Sequence, residues 1–582
     1  MPSAIAGEPP APLPLKLTAA QIERLNEALK PLHGQYDPQE RMLLHNFGSP
    51  GYHTTLKGGK VHGTRNALNY AVACLDTGDE ELRQRAEDIL LKLVSLQDQD
   101  PKSRTYGIWS WFLEEPLEKM SPPDWNWADF CGVQLLQVAL YHRARLAPGT
   151  MAKVDEAIRH AARSIERRNV GPGYTNIALM GTYVTMVTAE LCGLEDLHAY
   201  AMKRLRTFHE YTQTQGAFTE YNSPTYTLVA LEELGRMRVH FRDADALGLV
   251  EDLYRFAWFE IARHFHLPTR QWAGPHSRAY ASLIGDSQWS VIDEGTGGKT
   301  AFAKAARARL DEARLPLPCP ADLIPYFTEP RLPRTEESIF VQASGEMPAI
   351  VGTTYLHPAF ALGSSNRNEM WNQRRALLAH WGTPDRPAYL QLRLLHDGYD
   401  FSAGQIFVVQ QEGRALAGIN LATDTGDTHI SLDRIQDATV KAKDFRLRFE
   451  FGGSAALLDL PAPNTLAEPL RVTHGDLHLA FGVPYARWGD ATGRWECGRE
   501  KDRTFADVVL FHADEPQTVK LDRLQAAAAG LWVSLSAEPQ TEDPGAKARE
   551  RNGRLFLEWR GLHLDLPVQP AKAQEQQKTF NR

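Results

Sequence analysis

Three features are scarce or missing in this sequence: long apolar runs, cysteine and an excess of positive charge. No apolar run reaches the roughly 18–20 residues of a membrane-spanning helix, so the sequence predicts no membrane span. The five cysteines stand apart and form no Cys-x-x-Cys pair, which excludes a zinc ribbon or a dithiol redox motif. The net charge is −8 with Lys and Arg spread along the chain, which excludes a typical nucleic-acid-binding surface.

The start of the chain gives a weak indication of compartment. Residues 1–15 are rich in Ala and Pro and lack the basic n-region and apolar h-region of a signal peptide. This fits the mature end of a periplasmic or secreted protein, which we favour, and it also fits a cytoplasmic protein. At 582 residues the chain exceeds the size at which single cores stop growing, so we expect two large domains.

The apolar pattern changes once along the chain. From about residue 18 to 335, apolar residues recur at helical spacing, and from about 336 onward they alternate in short runs such as 445–449 and 555–559. Proline-rich stretches near 315–320 and 330–333 lie at the change. We predict a flexible tail at 1–17, a helical domain at 18–335, an antiparallel β domain at 336–570 and a polar tail at 571–582.

The helical part contains a repeat of form. Polar and aromatic loops precede predicted helices around Asn126, Asn176, Asn222 and His276, at intervals of 50 (176−126), 46 (222−176) and 54 (276−222) residues. A period of about 50 fits one helical hairpin per repeat. Hairpins that run the same way place these loops at one end, and a closed ring gathers them around one mouth, as in an (α/α) toroid. An open α-solenoid has the same period, but the all-β second half favours the toroid.

Two of these loops, 220–226 and 271–280, bring together Tyr, His, Arg and Asn, a set that can neutralise a carboxylate and move a proton. His276 and Tyr280 share a face whether their segment is helical or extended. Asn222 precedes Ser223 and Pro224, which predict an N-cap and a first helical residue, and a helix start favours an anion.

Further candidate residues lie outside these two loops. Trp125 and Trp127 flank Asn126, and flat rings beside an amide suit sugar binding. The polar stretch 363–375 of the β half would supply Asn366, Arg374 and His357 to a substrate if it folded onto the mouth. His264 and His266 have no acidic residue at ligand spacing, so we predict core histidines and no metal site. No cofactor is predicted, and a structural calcium or zinc ion stays open.

At these residues the chain resembles polysaccharide lyases of the heparinase II/III and chondroitin AC/alginate lyase type. The resemblance covers the domain order and the Asn, His, Tyr and Arg set. It implies an N-terminal (α/α) toroid followed by a C-terminal antiparallel β-sandwich. It also implies cleavage of a uronate-containing glycan by β-elimination, in which carboxylate neutralisation allows the C5 proton to be removed before the bond to O4 breaks.

Mapped onto this chain, the resemblance makes Tyr280 or Tyr226 the base and acid, with His276 assisting or acting as base. Asn222 and Arg278 would hold the carboxylate. The expected substrate contacts are Glu220, Tyr221, Trp125, Asn126, Trp127, Tyr174, Asn176, Trp272, His357, Asn366 and Arg374.

Two other functions stay open from the sequence. One is a glycoside hydrolase on an (α/α) barrel, using Glu220 with Asp124 or Asp129. The other is a non-catalytic glycan-binding or scaffold protein. The identity of the uronate, endo or exo action and the oligomeric state are not readable from the sequence.

Overall fold

The computed structural model describes residues 13–304, 309–311, 314–424, 435–539 and 545–578. Its first half is built from helical hairpins and its second half from antiparallel sheets, so the predicted fold class is confirmed. The helices are α1 (Ala19–His33), α2 (Thr64–Asp76), α3 (Glu80–Val94), α4 (Trp127–Tyr141), α5 (Pro148–Arg168), α6 (Thr175–Cys192), α7 (Glu195–Gln215), α8 (Tyr226–His240), α9 (Ala244–His264), α10 (Asp286–Gly295), α11 (Pro325–Thr328) and, near the end of the chain, α12 (Ala573–Lys578).

The toroid has an inner and an outer layer of helices. Helices α2, α4, α6 and α8 pack in succession, and each also packs on the helix that follows it, namely α3, α5, α7 or α9. The sequence explains this division, because α6 is buried on all sides from Thr175 to Ala189, whereas α5 buries one face only. Left-handed residues end three of these helices: Asn169 (φ 49°) ends α5, Gly193 (φ 63°) ends α6 and Gly216 (φ 77°) ends α7.

The inner helices start at the same end of the toroid, which we call the mouth. The loops before α4 and α6 meet where Asn126 Nδ2 donates to Tyr174 Oη at 3.4 Å. The loops before α6 and α8 meet where the Asn176 backbone N–H donates to Glu220 Oε2 at 3.3 Å. Three of the four predicted loops therefore precede helices at one end.

The fourth loop differs from the prediction. Helix α10 begins at Asp286, ten residues beyond His276, and segment 273–280 is irregular. Helix α8 also begins at Tyr226, two residues later than predicted from Pro224. Ser223 nevertheless acts at this helix start, since its Oγ accepts the Tyr226 N–H at 3.0 Å.

A buried polar network closes the opposite end of the toroid. His240 of α8 bonds Tyr141 of α4 at 2.7 Å and Tyr183 of α6 at 2.8 Å. Arg314 bonds Asp76 of α2 at 2.6 Å and Gln137 of α4 at 3.2 Å. These side chains tie the four inner helices together.

The helical half also contains short strands that the sequence did not predict. They are β1 (Tyr36–Asp37), β2 (Met42–Gly48) and β3 (Gly58–His62), which form one small sheet, and the pair β4 (Phe265–His266) and β5 (Gln271–Trp272).

The second half is a β-sandwich with a third, smaller sheet. Its strands are β6 (Arg334–Val341), β7 (Ile350–His357), β8 (Phe360–Ser365), β9 (Arg367–Glu369), β10 (Leu377–Thr383), β11 (Arg386–His396), β12 (Tyr399–Asp400), β13 (Gly404–Gln411), β14 (Arg414–Leu421), β15 (Thr439–Gly453), β16 (Leu470–His474), β17 (Leu477–Trp488), β18 (Ala491–Thr492), β19 (Arg494–Glu500), β20 (Arg503–Lys520), β21 (Ala527–Ser536), β22 (Lys547–Arg551), β23 (Arg554–Trp559) and β24 (Leu562–Pro567).

One large sheet has the order β19-β20-β15-β11-β10-β8-β7-β6, with β12 beside β11. The other has the order β16-β17-β21-β14-β13-β9, with β18 beside β17. Alternate residues of both, including Leu390, Phe449 and Phe481, fill the core between them. Strands β22, β23 and β24 form the third sheet, which packs on the second large sheet through contacts such as Trp532 with Trp559.

The two halves dock through close backbone contacts. A Cβ on Gly363 of β8 would lie 1.9 Å from the Gly274 carbonyl oxygen, so only glycine fits there. Thr354 Oγ1 donates to the same oxygen at 2.7 Å. His276 and Arg375 exchange backbone hydrogen bonds of 3.1 and 2.9 Å. The segment 273–280 is thus held against the β-sandwich.

The ends of the chain differ in part from the expected tails. Residues 1–12 lie outside the described residues, but the Leu13 N–H donates to the Leu140 carbonyl at 2.8 Å. The predicted polar tail at 571–582 packs as far as residue 578, where Gln576 is buried and donates to the Leu421 carbonyl at 2.6 Å. The polar composition of the segment did not predict this docking, which depends on hydrogen bonds from the Gln576 amide to the backbone of Leu421 and Ala571.

All five cysteines are free thiols, and three of them are buried. Among the described residues, no helix has both the length and the apolar character needed to cross a membrane.

Candidate functional site

A pair of tyrosines lies at the centre of the mouth. The Tyr226 and Tyr280 hydroxyl oxygens are 2.7 Å apart, and either can donate the hydrogen bond. Tyr280 is 62% exposed, whereas Tyr226, at the start of α8, is partly buried. Burial raises the pKa of Tyr226 above its ordinary value of 10, and the nearby Arg278 opposes that rise. The pair therefore joins a shielded phenol to an exposed one.

Arg278 is fixed beside this pair. Its guanidinium carbon lies 4.1 Å from the centre of the Tyr226 ring, within cation–π range. Nη1 donates to Glu220 Oε1 at 2.7 Å, and Nε donates to Gln373 Oε1 at 3.0 Å. Glu220 is buried, which raises the pKa of its carboxyl group, while Arg278 opposes the rise. The cation is held in place by one residue from each domain.

Asn176 is the second polar group that borders Glu220. Its backbone N–H donates to Glu220 Oε2, and its side chain lies in the first turn of α6. The Asn176 Oδ1 atom is buried and has no hydrogen-bond partner among the described residues. A buried amide oxygen without a partner is rare in folded proteins and marks a place where a ligand or water can bind.

Aromatic rings line the mouth on the side of α2 and α4. Trp111 and Trp127 stack with ring centres 5.2 Å apart, and their indole N–H groups donate to Asp124 and Thr64. Trp125 is half-buried, and its indole N–H donates to the Arg104 carbonyl. The faces of this wall suit a sugar ring.

The β-sandwich contributes a loop that sequence reasoning identified only in part. The Trp371 ring lies between the Arg278 and Arg374 guanidinium carbons, at 5.3 and 5.8 Å from its centre. Asn372 Nδ2 donates to Tyr399 Oη at 2.6 Å. Arg374 was predicted, but Trp371 and Gln373 were not singled out, since their position depends on the docking of the domains.

Tyr52 is a further residue that the sequence did not reveal. It lies between β2 and β3, beside Trp111 at a ring-centre distance of 6.3 Å. Burial raises its pKa, and the nearby Tyr280 adds to the rise. Its neighbours Ser49, Pro50 and Gly51 indicate only a turn, so no sequence pattern placed it at the mouth.

Several predicted site residues have structural contacts instead. Asn222 is fully buried, its Nδ2 donates to the Ala273 and Pro275 carbonyls, and its Oδ1 accepts the Trp272 indole N–H at 2.6 Å. The side-chain donors of Asn222 are therefore occupied. Trp272, its hydrogen-bond partner, is buried as well. Tyr221 is also buried, stacked on Phe340 at 4.1 Å. These three residues do not face the mouth.

His276 does not share a face with Tyr280, which corrects the prediction. Its ring is buried and its Nδ1 is 2.7 Å from the Asn222 carbonyl oxygen. Burial lowers its pKa to about 3, so it is neutral near pH 7 and does not lower the pKa of a tyrosine.

The predicted contributions of His357 and Asn366 are also corrected. His357 lines a separate cavity of about 560 Å³ on the β-sandwich, together with Phe360 and Glu412. Asn366 is buried and bonds the backbone of Val351 and Ala349. The polar stretch reaches the mouth from residue 371 onward, where Trp371 and Gln373 contact Arg278.

The carboxylates proposed for a hydrolase are engaged or enclosed. Asp124 accepts from Trp111 and from the Asn126 N–H, and Glu220 is paired with Arg278. Asp129 is buried, which raises its pKa to about 7. Within the described part of the chain, no group of three or more His, Cys, Asp or Glu residues is placed to hold a metal ion.

Known proteins that are similar to this chain include one protein family and several solved structures. A family model described as "Domain of unknown function (DUF8769)" matches residues 24–293, which is less than half of the chain. No curated protein matches the chain. Solved structures of polysaccharide lyases match it.

They include a mutant of the heparan sulfate lyase HepC from Pedobacter heparinus, with 11% identity, 97% of this chain and 91% of that chain covered and a TM-score of 0.42. A Streptomyces coelicolor chondroitin AC lyase in complex with chondroitin sulphate has 11% identity, 94% and 85% coverage and a TM-score of 0.48. A heparinase III has 9% identity, 96% and 91% coverage and a TM-score of 0.38.

The expected resemblance to toroid-plus-sandwich lyases agrees with these matches. The domain order that it implies is the one that the structure has. At these identities and TM-scores the alignments carry no weight for the substrate, the mechanism or individual site residues.

Proposed function

We propose that this protein is a lyase that cleaves a uronate-containing glycan by β-elimination. The observation that carries the proposal is the Tyr226–Tyr280 hydroxyl pair, 2.7 Å apart, with the Arg278 guanidinium over the Tyr226 ring. Around it lie the side-chain amide of Asn176, in the first turn of α6, and the stacked rings of Trp111 and Trp127. A phenol, a cation, an amide and a sugar-sized aromatic wall are the groups that this reaction needs.

In the proposed reaction the uronate carboxylate binds between Asn176 and Arg278. Their N–H groups stabilise the negative charge that grows on the carboxylate as the C5–H bond breaks. The Tyr226 phenolate takes the C5 proton, a C4–C5 double bond forms, and the C4–O4 bond breaks with its electron pair on O4. The new Tyr226 phenol then protonates O4.

Tyr226 has to be a phenolate when the substrate binds, and Tyr280 offers a route by which the proton of the resting phenol can leave. Its exposed hydroxyl connects the shielded Tyr226 oxygen to solvent. We place Tyr226 rather than Tyr280 as the base because it is the shielded member of the pair and the Arg278 guanidinium lies over its ring, where the cation offsets part of the rise in pKa that burial causes. Glu220 acts as a positioning residue, because it accepts hydrogen bonds from the Arg278 guanidinium and from the Asn176 N–H in the first turn of α6. Action on an extracellular or periplasmic glycan fits this chemistry.

Product analysis tests the proposal. Polymers that contain glucuronate, galacturonate or mannuronate are incubated with the protein, and the near-ultraviolet absorbance of an unsaturated product is followed. Tyr226→Phe is expected to lower kcat by about 100-fold or more, with a modest change in KM, since general base catalysis contributes about 10²–10⁴-fold. Tyr280→Phe is expected to lower kcat less, about tenfold.

Tyr355→Phe is the matched control, because Tyr355 lines the separate cavity on the β-sandwich. It should leave turnover unchanged. New reducing ends without ultraviolet absorbance would indicate a hydrolase, and binding without any turnover would indicate a glycan-binding protein. Either result across the whole panel contradicts the lyase proposal.

The pH dependence gives a second test of Tyr226. Burial raises its pKa above 10, so the fraction of phenolate in the free protein grows with pH through the alkaline range. We expect kcat/KM to rise with pH from 7 to 10 without levelling, as long as the protein stays folded. A plateau that begins near pH 7 would contradict Tyr226 as the base.

A further inference from the structure

Among the described residues, no other element covers the outer face of the three-stranded sheet of β22, β23 and β24. Leu555, Leu557 and Trp559 on its inner face pack against the second large sheet. The outer face carries Lys547, Arg549 and Arg551 on β22, and Phe556 on β23. We call this outer face the β22–β24 platform. The platform belongs to the outermost of the three sheets. The helical domain docks on a different sheet, the large one that contains β8.

The platform combines an exposed aromatic ring with free positive charge. Phe556 is 45% exposed and stands between Arg549 and Asp565 in the strand register. Lys547, Arg549 and Arg551 are exposed, and none forms an ion pair within the described ranges. Together these side chains border a concave space of about 800 Å³.

The acidic side chains nearby compensate only part of this charge. Asp565 is paired with Arg554. Glu550 points to the other face, where it accepts from Tyr485 and Arg487 at 2.7 and 2.8 Å. Glu558 is the acidic residue that stays on the platform, opposite Lys547. The platform is therefore a positive surface around one aromatic ring.

Basic residues on an edge strand also prevent unwanted strand pairing, and that role needs no ligand. That role does not involve the exposed Phe556 ring, which borders the same concave space as the three cations. Side chains on one face of a strand recur about every 6.8 Å, so the three cations span about 14 Å. An extended anionic chain can contact all three.

We infer that the β22–β24 platform is a second glycan site, which holds an anionic polysaccharide away from the mouth. A sugar ring stacks on Phe556, and the acidic groups of the chain contact Lys547, Arg549 and Arg551. The assignment of the partner as a glycan rests on the proposed function. Attachment at this site raises the local concentration of polymer at the mouth, so it matters for long chains and not for short ones.

The test uses the full chain with Tyr226→Phe, which keeps the polymer intact. The triple variant Lys547→Gln, Arg549→Gln and Arg551→Gln is compared with Lys30→Gln, Lys153→Gln and Lys203→Gln, which removes the same charge from exposed helical positions. Affinity for fluorescent heparan sulfate, hyaluronan and alginate is measured at several salt concentrations. We expect Kd to rise about tenfold for the platform variant and to change little for the control.

Phe556→Ala should raise Kd in the same direction without altering its salt dependence. With Tyr226 intact, the platform variants should slow the turnover of polymer and leave that of short oligosaccharides unchanged. Unchanged polymer binding overturns the inference. Equal binding of single-stranded DNA through the same residues also overturns it, by showing a general polyanion surface. Because binding needs no turnover, failure of the lyase proposal would be seen separately.

Discussion

At the scale of single residues, two asparagines in corresponding loops have opposite environments. Asn222 is buried at φ 41° and its amide makes three hydrogen bonds to the protein. Asn176 has a buried Oδ1 with no partner among the described residues. The side chain of Asn222 is therefore structural, whereas that of Asn176 is the one assigned to the proposed substrate site.

These environments predict different effects of the same substitution. Asn222→Ala should lower the free energy of unfolding by about 2–4 kcal/mol, because it leaves a buried indole N–H and two carbonyls unpaired. Asn176→Ala should leave stability unchanged or slightly higher while lowering kcat/KM about 10–100-fold. Urea denaturation and initial rates on the same preparations measure both. An Asn222 variant with normal stability and no activity would instead restore the sequence-based role of Asn222.

The sequence predicted the residue types at the mouth better than their orientation. Tyr226, Tyr280, Arg278 and Asn176 were all identified from polar-aromatic loops, and the structure brings them together. His276 and Asn222 were identified by the same pattern but point into protein. The difference depends on Arg375 and Trp272, whose positions arise from long-range docking that local sequence does not encode.

At the scale of elements, the helix starts were predictable wherever the chain itself supplies the first turn. Loops before α4, α6 and α8 agree with the sequence. The Gly274–Pro275–His276 segment has the composition of a helix start, but the His276 N–H is bonded to the Arg375 carbonyl of the other domain. This hydrogen-bond partner, 99 residues away in the sequence (375−276), holds His276 in an irregular segment where the local composition predicts a helix start.

The docking of strand β8 on this segment gives a test at the same scale. Gly363→Ala places a methyl group where the Gly274 carbonyl lies 1.9 Å away, so the backbone has to separate. We expect a loss of stability of about 3 kcal/mol or more and reduced turnover, because Gln373 and Trp371 reach Arg278 only when the domains dock.

Gly248→Ala is the matched control for this substitution. Gly248 lies in the exposed interior of α9, and a Cβ there meets no atom within 4 Å. Alanine should raise stability by about 0.5–1 kcal/mol, since glycine is the weaker helix former. Thermal denaturation separates the two outcomes, and equal effects would show that position 363 tolerates a side chain.

At the scale of the whole molecule, buried histidines tie the two domains together. Two of them bond across the junction: His266 Nε2 lies 2.7 Å from the His357 carbonyl oxygen, and His380 Nε2 lies 2.7 Å from that of Ser282. His276 lies at the junction but its ring bonds within the helical domain, where its Nδ1 is 2.7 Å from the Asn222 carbonyl oxygen. Burial lowers the pKa of His266 and His276 to about 3 and that of His380 to about 4, from an ordinary 6.5.

The sign of the resulting pH effect follows from proton binding. Below pH 6.5 a histidine in the opened junction takes up a proton, whereas the docked one does so only near pH 3–4. The docked state therefore loses stability as the pH falls from 6.5 toward 4. Asp129 and Glu233 in the toroid have pKa values raised to about 7, so their contributions change with pH in the opposite sense.

As the pH falls, the junction between the domains should therefore lose stability at a higher pH than the toroid does. Hydrogen exchange at pH 7 and pH 5, corrected for intrinsic rates, is expected to show a larger loss of protection in 264–282 and 354–380 than in α4 and α6. His380→Gln keeps an N–H donor for the Ser282 carbonyl but cannot titrate, so it should reduce the acid effect near β10 and leave that near His266 unchanged. Uniform loss of protection in both domains would show that the histidines do not control docking.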